Sequence, residues 1–424
     1  MPATIESLPV ELVVHVANYL DFQPVCSLRL ASRTLADKLS PAYLPRFFAY
    51  KNVKFDDASL KEFVYMTRPG RAGCVLRHCT ITVVGRASRL GATRLLNDAF
   101  TNLERNSPRA GLVSLRVKAG SLPRDRLYYH MALPGHWHTA QQTFETIMTA
   151  LRECHLPVSE HLELRGSVQG CSLSYRGALF RITDLASATT VFGLLKQLTM
   201  SLSSMCINSV QIPSAYDRNM YGTDRVEQSV HGSSLLQGLL VMLASMPHLE
   251  ELDIHWYNVG SFFSNRPGAG IMNLDDMNLN VTAPLEPAHV NLKACSLRGL
   301  YVAGEGLLRY LEAVRPTKLT LTDIRLIPGT WTPIFECLSS STLPITYYHL
   351  DDLRQGDGLL VHFDDVPGQA KFSYRDVQMG PSTLTRRMSE VGTPIRYRCT
   401  TQRPLGSGAR TRWLESKKLE FGPP

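Results

Sequence analysis

SSLLQGLLVMLASMPHLEELDIHWYN, residues Ser233–Asn258, decides how the chain is read. Leu235, Leu239 and Leu243 recur every four residues, the spacing of one helix face, and the run stops at Pro247. Leu249-x-x-Leu252-x-Ile254 then alternates apolar and polar residues, as a strand with one buried side does. Helix-then-strand is thus the unit, and its strand half recurs along the chain. The copies are LKACSL (Leu292–Leu297), PTKLTL (with Leu319 and Leu321) and ITYYHL (Ile345–Leu350) on the C-terminal side. On the N-terminal side they are LRHCTI (Leu76–Ile81), LVSLRV (Leu112–Val117), SEHLEL (with Leu162 and Leu164) and LKQLTM (Leu195–Met200). Helical patterns lie between most of them, for example Thr139–Cys154 and Gly304–Val314.

The period is uneven. Cys295, Leu319 and Tyr348 are 24 and 29 residues apart, a spacing that suits leucine-rich repeats, whereas earlier intervals are longer and need insertions such as Ser264–Asn280. An ordinary α/β domain with parallel strands stays open as an alternative, because strand–helix alternation alone does not exclude it. The expectation is an α/β fold: a small N-terminal helical unit over residues 1–48, an irregular leucine-rich-repeat-like solenoid with parallel strands over 49–356, and a partly ordered capping segment with a basic tail over 357–424.

In such a solenoid the Leu positions face the core and the residues between them face outward, so their outward partners become candidates for gripping a protein. The candidate set is Arg116, Lys118, Glu163, Arg165, Asp253, His255 and Arg298. Any one of them, taken singly, reads as a solvated strand position; the hypothesis concerns the surface as a whole.

The N-terminus asks a different question. In IESLPVELVVHVANYL (Ile5–Leu20), Leu8, Leu12, Val16 and Leu20 recur every four residues, Pro9 suits a first helical turn and Glu11 favours the helix dipole. A second run places Val25, Leu28 and Leu35 at helical spacing. Two or three short helices over roughly residues 8–40 are too few to stand alone. The segment LPVELVVHVANYLDFQPVCSLRLASRTLADKL resembles an F-box, through Leu8-Pro9, Glu11, Leu12, Val16, Tyr19-Leu20, Leu28-Arg29-Leu30 and Ser32-Arg33. LKACSLRGLYVAGEGLLRYLEAVRPTKLTLTDIRLIPGTW in turn looks like the F-box/leucine-rich-repeat proteins common in fungi, with Gly329 and Trp331 fitting a Gly-x-Trp helix start. The resemblance implies that Leu8, Pro9, Leu12, Val16, Leu20 and Leu28 bind a Skp-family adaptor, which joins a cullin. It implies further that the repeats hold an unknown protein substrate for ubiquitin transfer by other subunits. A scaffold acting outside any ligase is the alternative, as is a nucleic-acid-associated protein using its tail.

Composition narrows the rest. The chain of 424 residues is 44% hydrophobic and 19% charged, enough for a sizeable core and against wholesale disorder. Its net charge of +8 is concentrated at the end, where residues 371–424 hold 11 Lys/Arg against 4 Asp/Glu. A basic tail of this kind reads as a solvated element more readily than as a nucleic-acid face, and little order is expected beyond Arg403. No run reaches the ~18 apolar residues of a membrane helix, and Glu6 with no basic n-region argues against a signal peptide, so the expected location is intracellular, in cytoplasm or nucleus.

Nine cysteines without a C-x-x-C pair read as scattered thiols. His136-Trp137-His138 offers two ligands where zinc needs three or four, and reads as loop histidines. Gly268-Ala269-Gly270 and Gly406-Ser407-Gly408 lack the Lys-Ser/Thr ending of a phosphate loop. Asp351-Asp352 and Asp364-Asp365 read as turns or caps. No cofactor, metal or catalytic residue is expected.

Overall fold

The computed structural model describes residues 4–83, 89–108, 110–119, 126–164, 173–174, 185–203, 239–240, 242–257, 291–356, 358–364, 366–374, 378–400 and 407–421. Three helices come first: α1 (Val10–Asn18), α2 (Phe22–Ala31) and α3 (Arg33–Phe48). They enclose a small core of their own, made of Val13, Ala17, Val25, Leu35, Leu39 and Tyr43. Polar ties close it: Lys38 Nζ donates to the carbonyls of Glu6 (2.6 Å) and Leu8 (2.7 Å), and Arg46 donates to those of Ala17 (3.0 Å) and Asn18 (3.2 Å) at the end of α1. These bonds satisfy carbonyls that a helix end otherwise leaves bare.

The chain passes from α3 almost directly into strand β1 (Tyr50–Lys54). There follow α4 (Asp57–Thr67), β2 (His78–Val83), α5 (Arg89–Asn106), β3 (Leu112–Ala119), α6 (Arg126–Cys154), β4 (Val158–Leu164), β5 (Leu173–Ser174), α7 (Leu185–Phe192), β6 (Gln197–Ser203) and β7 (Glu251–Tyr257). Next are β8 (Ala294–Arg298), β9 (Tyr301–Val302), α8 (Gly304–Val314), β10 (Lys318–Thr322), β11 (Arg325–Leu326), α9 (Thr332–Ser339), β12 (Tyr347–Asp351), β13 (Arg354–Gln355) and β14 (Leu359–Phe363). The last are β15 (Thr383–Arg387), β16 (Tyr397–Cys399) and α10 (Ser407–Phe421).

The protein is therefore mixed α/β, built on a large and mostly parallel sheet in the order β1-β2-β3-β4-β6-β7-β8-β10-β12-β15. Chain order and strand order coincide along this path. Every pairing from β1 to β12 is parallel, and β15 closes the far edge antiparallel to β12. All eight segments with the expected strand signature are strands of this sheet. β1 and β15 extend it at the two ends.

Register explains the burial. One row of paired positions runs Val53, Ile81, Val117, Leu164, Met200, Ile254, Leu297, Leu321, Leu350, Leu384, and all ten are buried. Helices supply the other side of the same core through Phe63, Phe100, Phe144, Phe192, Leu311 and Phe335. Most side chains at the intervening positions point away from it and are polar.

After β8, β10 and β12 the chain repeats one local device. Gly299, Asp323 and Asp352 all take left-handed backbone, with φ of 76°, 54° and 53°. Asp enters this region more readily than most residues and Gly does so freely. Each is followed by a fully buried Leu300, Ile324 or Leu353 and then by a short strand, and β9, β11 and β13 pair in parallel in a second, five-stranded sheet that β14 and β16 complete antiparallel. Trp331, 0% exposed, stands under this sheet and donates its indole N–H to the Arg354 carbonyl at 2.9 Å.

Two expectations differ from what is found. Order does not end near Arg403: Ser407–Phe421 form a helix docked on the sheet. Positions 136 and 138 lie within α6 rather than in a loop. Lys371 and Phe372 are bends, Ser373 and Tyr374 have no regular structure, and the sheet edge is supplied by β15. Leu235, Ser264–Asn280 and Asp365 lie outside the described residues. Among the described residues, no helix is long and apolar enough to cross a membrane.

Candidate functional site

Two surfaces carry the residues singled out by sequence. The first is the outer side of the three-helix unit. At ~100° per residue, Leu12 and Val16 on α1 and Tyr19 at its C-cap fall within about 60° of arc, about 110° round from Val13 and Ala17. Val13 and Ala17 are sealed in the small core, while Leu12, Val16 and Tyr19 are 51%, 43% and 79% exposed. Leu30 (88%), Phe22 (43%), Ile5 and Val10 extend the open apolar surface of the same unit. Leu8, Leu20 and Leu28 are half-buried and pack against the small core; Pro9 is exposed just ahead of α1. The six expected adaptor residues therefore divide: Leu12 and Val16 face solvent, and three leucines partly hold the unit together. Tyr19, Phe22 and Leu30 belong to the open surface but were not in that set.

The unit is stiffened beneath this surface. Phe22 packs on Tyr43 and Phe47, with ring centroids 6.0 and 5.2 Å away, and the Arg29 guanidinium lies 4.4 Å over the Tyr43 ring. Arg29 also donates to Ser40 Oγ (2.8 Å) and the Ala36 carbonyl (3.0 Å). The exposed side chains thus stand on a fixed base. Completing the burial of about seven half-open apolar side chains is worth roughly 7–10 kcal/mol before association costs.

The second surface is the polar side of the large sheet, whose rows follow from the register. One row reads Asn52, Thr80, Arg116, Glu163, Thr199, Asp253, Ser296, Thr320, His349, Thr385. Arg116 Nε meets Glu163 Oε2 at 3.1 Å across neighbouring strands. Asp253 takes both arms of Arg298, Nε at 3.2 Å on Oδ1 and the terminal nitrogen on Oδ2. Four of the candidate substrate residues are therefore brought together as two ion pairs. Lys118 stands one step along β3, in line with Thr82 and Lys54. His255 lies against the Phe421 ring of α10, centroids 5.2 Å apart, and shares a hydrogen bond with Ser201 at 3.2 Å. Arg165 lies outside the described residues.

Near β1 the same side presents Tyr50, 70% exposed and stacked on His78 at 4.2 Å. Burial pushes His78 and His161 below the ordinary histidine value, so both rings are neutral at pH 7. The Cys79 and Cys295 thiols, wholly buried, are pushed up to about 12 and stay protonated, which makes them poor nucleophiles.

No protein-family model matches this chain, and no curated protein is found to be similar to it.

Proposed function

We propose that the chain is the non-catalytic substrate-recognition subunit of a Skp–cullin–F-box ubiquitin ligase. On this reading the three-helix unit is the F-box and the large sheet belongs to an irregular leucine-rich-repeat-like solenoid. The observation that carries it is the bare stripe Leu12–Val16–Tyr19 on a helix whose other side already has a core. An apolar patch of this kind on a rigid base marks a protein-binding site. Support for the solenoid comes from the coincidence of chain and strand order and from the repeated left-handed turn at Gly299, Asp323 and Asp352. The polar rows of the sheet would then receive the protein to be ubiquitinated.

Co-purification tests the reading. The full chain should retain a Skp-family adaptor and, through it, a cullin; Leu12→Asp with Val16→Asp should lose both while the sheet stays folded. Undiminished adaptor binding by that variant would discard the assignment of this surface. Adaptor without cullin would favour a scaffold outside the ligase. A nucleic-acid role draws little support, because Lys371, Arg398 and Lys417 of the basic tail are engaged within the chain by Asp352 and Asp364.

A further inference from the structure

The C-terminal helix α10 meets the rest of the protein through Trp413, Lys417 and Phe421. Trp413, Lys417 and Phe421 are four residues apart and so lie one above another on its surface. Between Trp413 and Phe421 the helix rises about 12 Å. Crossing from β12 through β10 and β8 to β7 at right angles covers about 14 Å. The two lengths agree, and the contacts follow that path.

At the β12 end Trp413 packs edge-on against Phe372 (5.2 Å), lies under the Arg354 guanidinium (4.9 Å) and donates its indole N–H to Asp352 Oδ2 (3.3 Å). In the middle Lys417 Nζ reaches Asp352 Oδ2 at 2.9 Å, with Asp323 also facing it. At the β7 end Phe421, 2% exposed, covers Gly299 and His255. Of the other side chains, Arg410, Arg412, Glu415, Ser416 and Glu420 are exposed and Leu414 is half-buried.

The receiving groove is thus specific. Its centre is a buried charge cluster, Asp352 with Lys371 and Asp323 with Arg354, between two places for aromatic rings. It sits at the strand ends beside His255, one of the polar-face residues a partner would otherwise touch. We propose that α10 is an exchangeable strap. It occupies in cis a docking groove for helices bearing an aromatic–Lys–aromatic stripe at i, i+4 and i+8, and a partner helix of that pattern gains the groove and His255 only when α10 lifts. This does not depend on the ligase reading, since the groove and its occupant are defined within the chain.

The test leaves the groove untouched. In the full chain, Lys417→Glu with Phe421→Ala should release α10. Its amides over 407–421 should exchange about tenfold faster or more, while exchange in β8, β10 and β12 stays as in wild type. A fluorescently labelled peptide of residues 405–424 should then bind the double variant saturably and wild type weakly or not at all. The same peptide carrying Lys417→Glu should not bind. The proposal is overturned if α10 exchanges no faster in the variant, or if the sheet loosens together with it, which would make the helix an integral part of the fold. It is equally overturned if the peptide ignores the variant or binds wild type just as well.

Discussion

Leu12 and Val13, neighbours in sequence and so ~100° apart on α1, face different surroundings: the first is 51% exposed and the second 2%. Their substitutions should separate binding from stability. Leu12→Asp should leave the unfolding free energy within about 0.5 kcal/mol of wild type, since an exposed position tolerates charge. Val13→Ala removes two buried methyl groups and should cost about 2 kcal/mol. Chemical denaturation read alongside adaptor co-purification checks both. If Leu12→Asp unfolds the unit, the stripe is structural rather than a docking surface.

Asp352 is 1% exposed and holds two lysines, Lys371 and Lys417, with Ser382 Oγ donating to it at 3.1 Å. Burial alone would raise its carboxyl, but the lysines outweigh burial and hold it below the ordinary carboxylate value. Burial would lower Lys417, yet Asp352 and Asp323 hold it above the ordinary lysine value. Asp352 therefore stabilises the fold above the ordinary carboxylate range, and this contribution is lost as pH falls through its depressed folded value. The contribution of Lys417 is present below the ordinary lysine range and is lost as pH rises through its raised folded value. Asp323 works the other way: burial lifts it in spite of Arg354, so its own effect favours acid. Asp352→Asn, which keeps the shape and tolerates the left-handed turn, should cost about 1–3 kcal/mol at pH 7. That is less than a locked buried pair would cost, because α10 can leave and return Lys417 to water. Denaturation of both proteins at pH 7 and pH 3 should show the gap closing in acid; a gap that widens there would refute the assignment.

Trp331 tests the small second sheet. Trp331→Ala empties a fully buried site stacked on Phe335 at 5.4 Å and should cost about 3–5 kcal/mol. Trp331→Phe keeps a ring but leaves the Arg354 carbonyl without its indole donor, and should cost about 1–3 kcal/mol. Thermal unfolding distinguishes the two. Equal losses would mean that the hydrogen bond, and not the packing, carries the site.

Much of this fold was legible because a strand's burial pattern has period two. Leu252 and Ile254, or Leu319 and Leu321, declare a buried side within six residues, and the register then lines them up across the sheet. The α1 stripe was legible only in part. Four residues advance a helix by ~400°, so Leu8, Leu12, Val16 and Leu20 drift through about 120° instead of sharing one line. The helix also starts at Val10 and ends at Asn18, leaving Leu8 and Leu20 outside it and turned partly to the small core. The docking of α10 left almost no local signal. Its contact stripe has a lysine at its centre, and the carboxylates that bind it lie more than sixty residues earlier in the chain.

Gly299 couples the sheet to that helix. Its φ of +76° is matched by Asp323 and Asp352 at the same place in the next two units, so left-handed backbone by itself does not demand glycine there. The surroundings do: an added Cβ would meet the Trp256 carbonyl oxygen at 2.4 Å and Phe421 Cδ1 at 2.6 Å. The backbone oxygen cannot turn aside, but the ring can leave. Gly299→Ala should therefore destabilise the protein by about 1–3 kcal/mol and loosen α10 first. In Phe421→Ala the same substitution should cost less by about 1 kcal/mol, since one of its two clashes has gone. Denaturation of the two single variants and the double variant closes the cycle. Strict additivity would mean that Phe421 does not rest on Gly299 in solution.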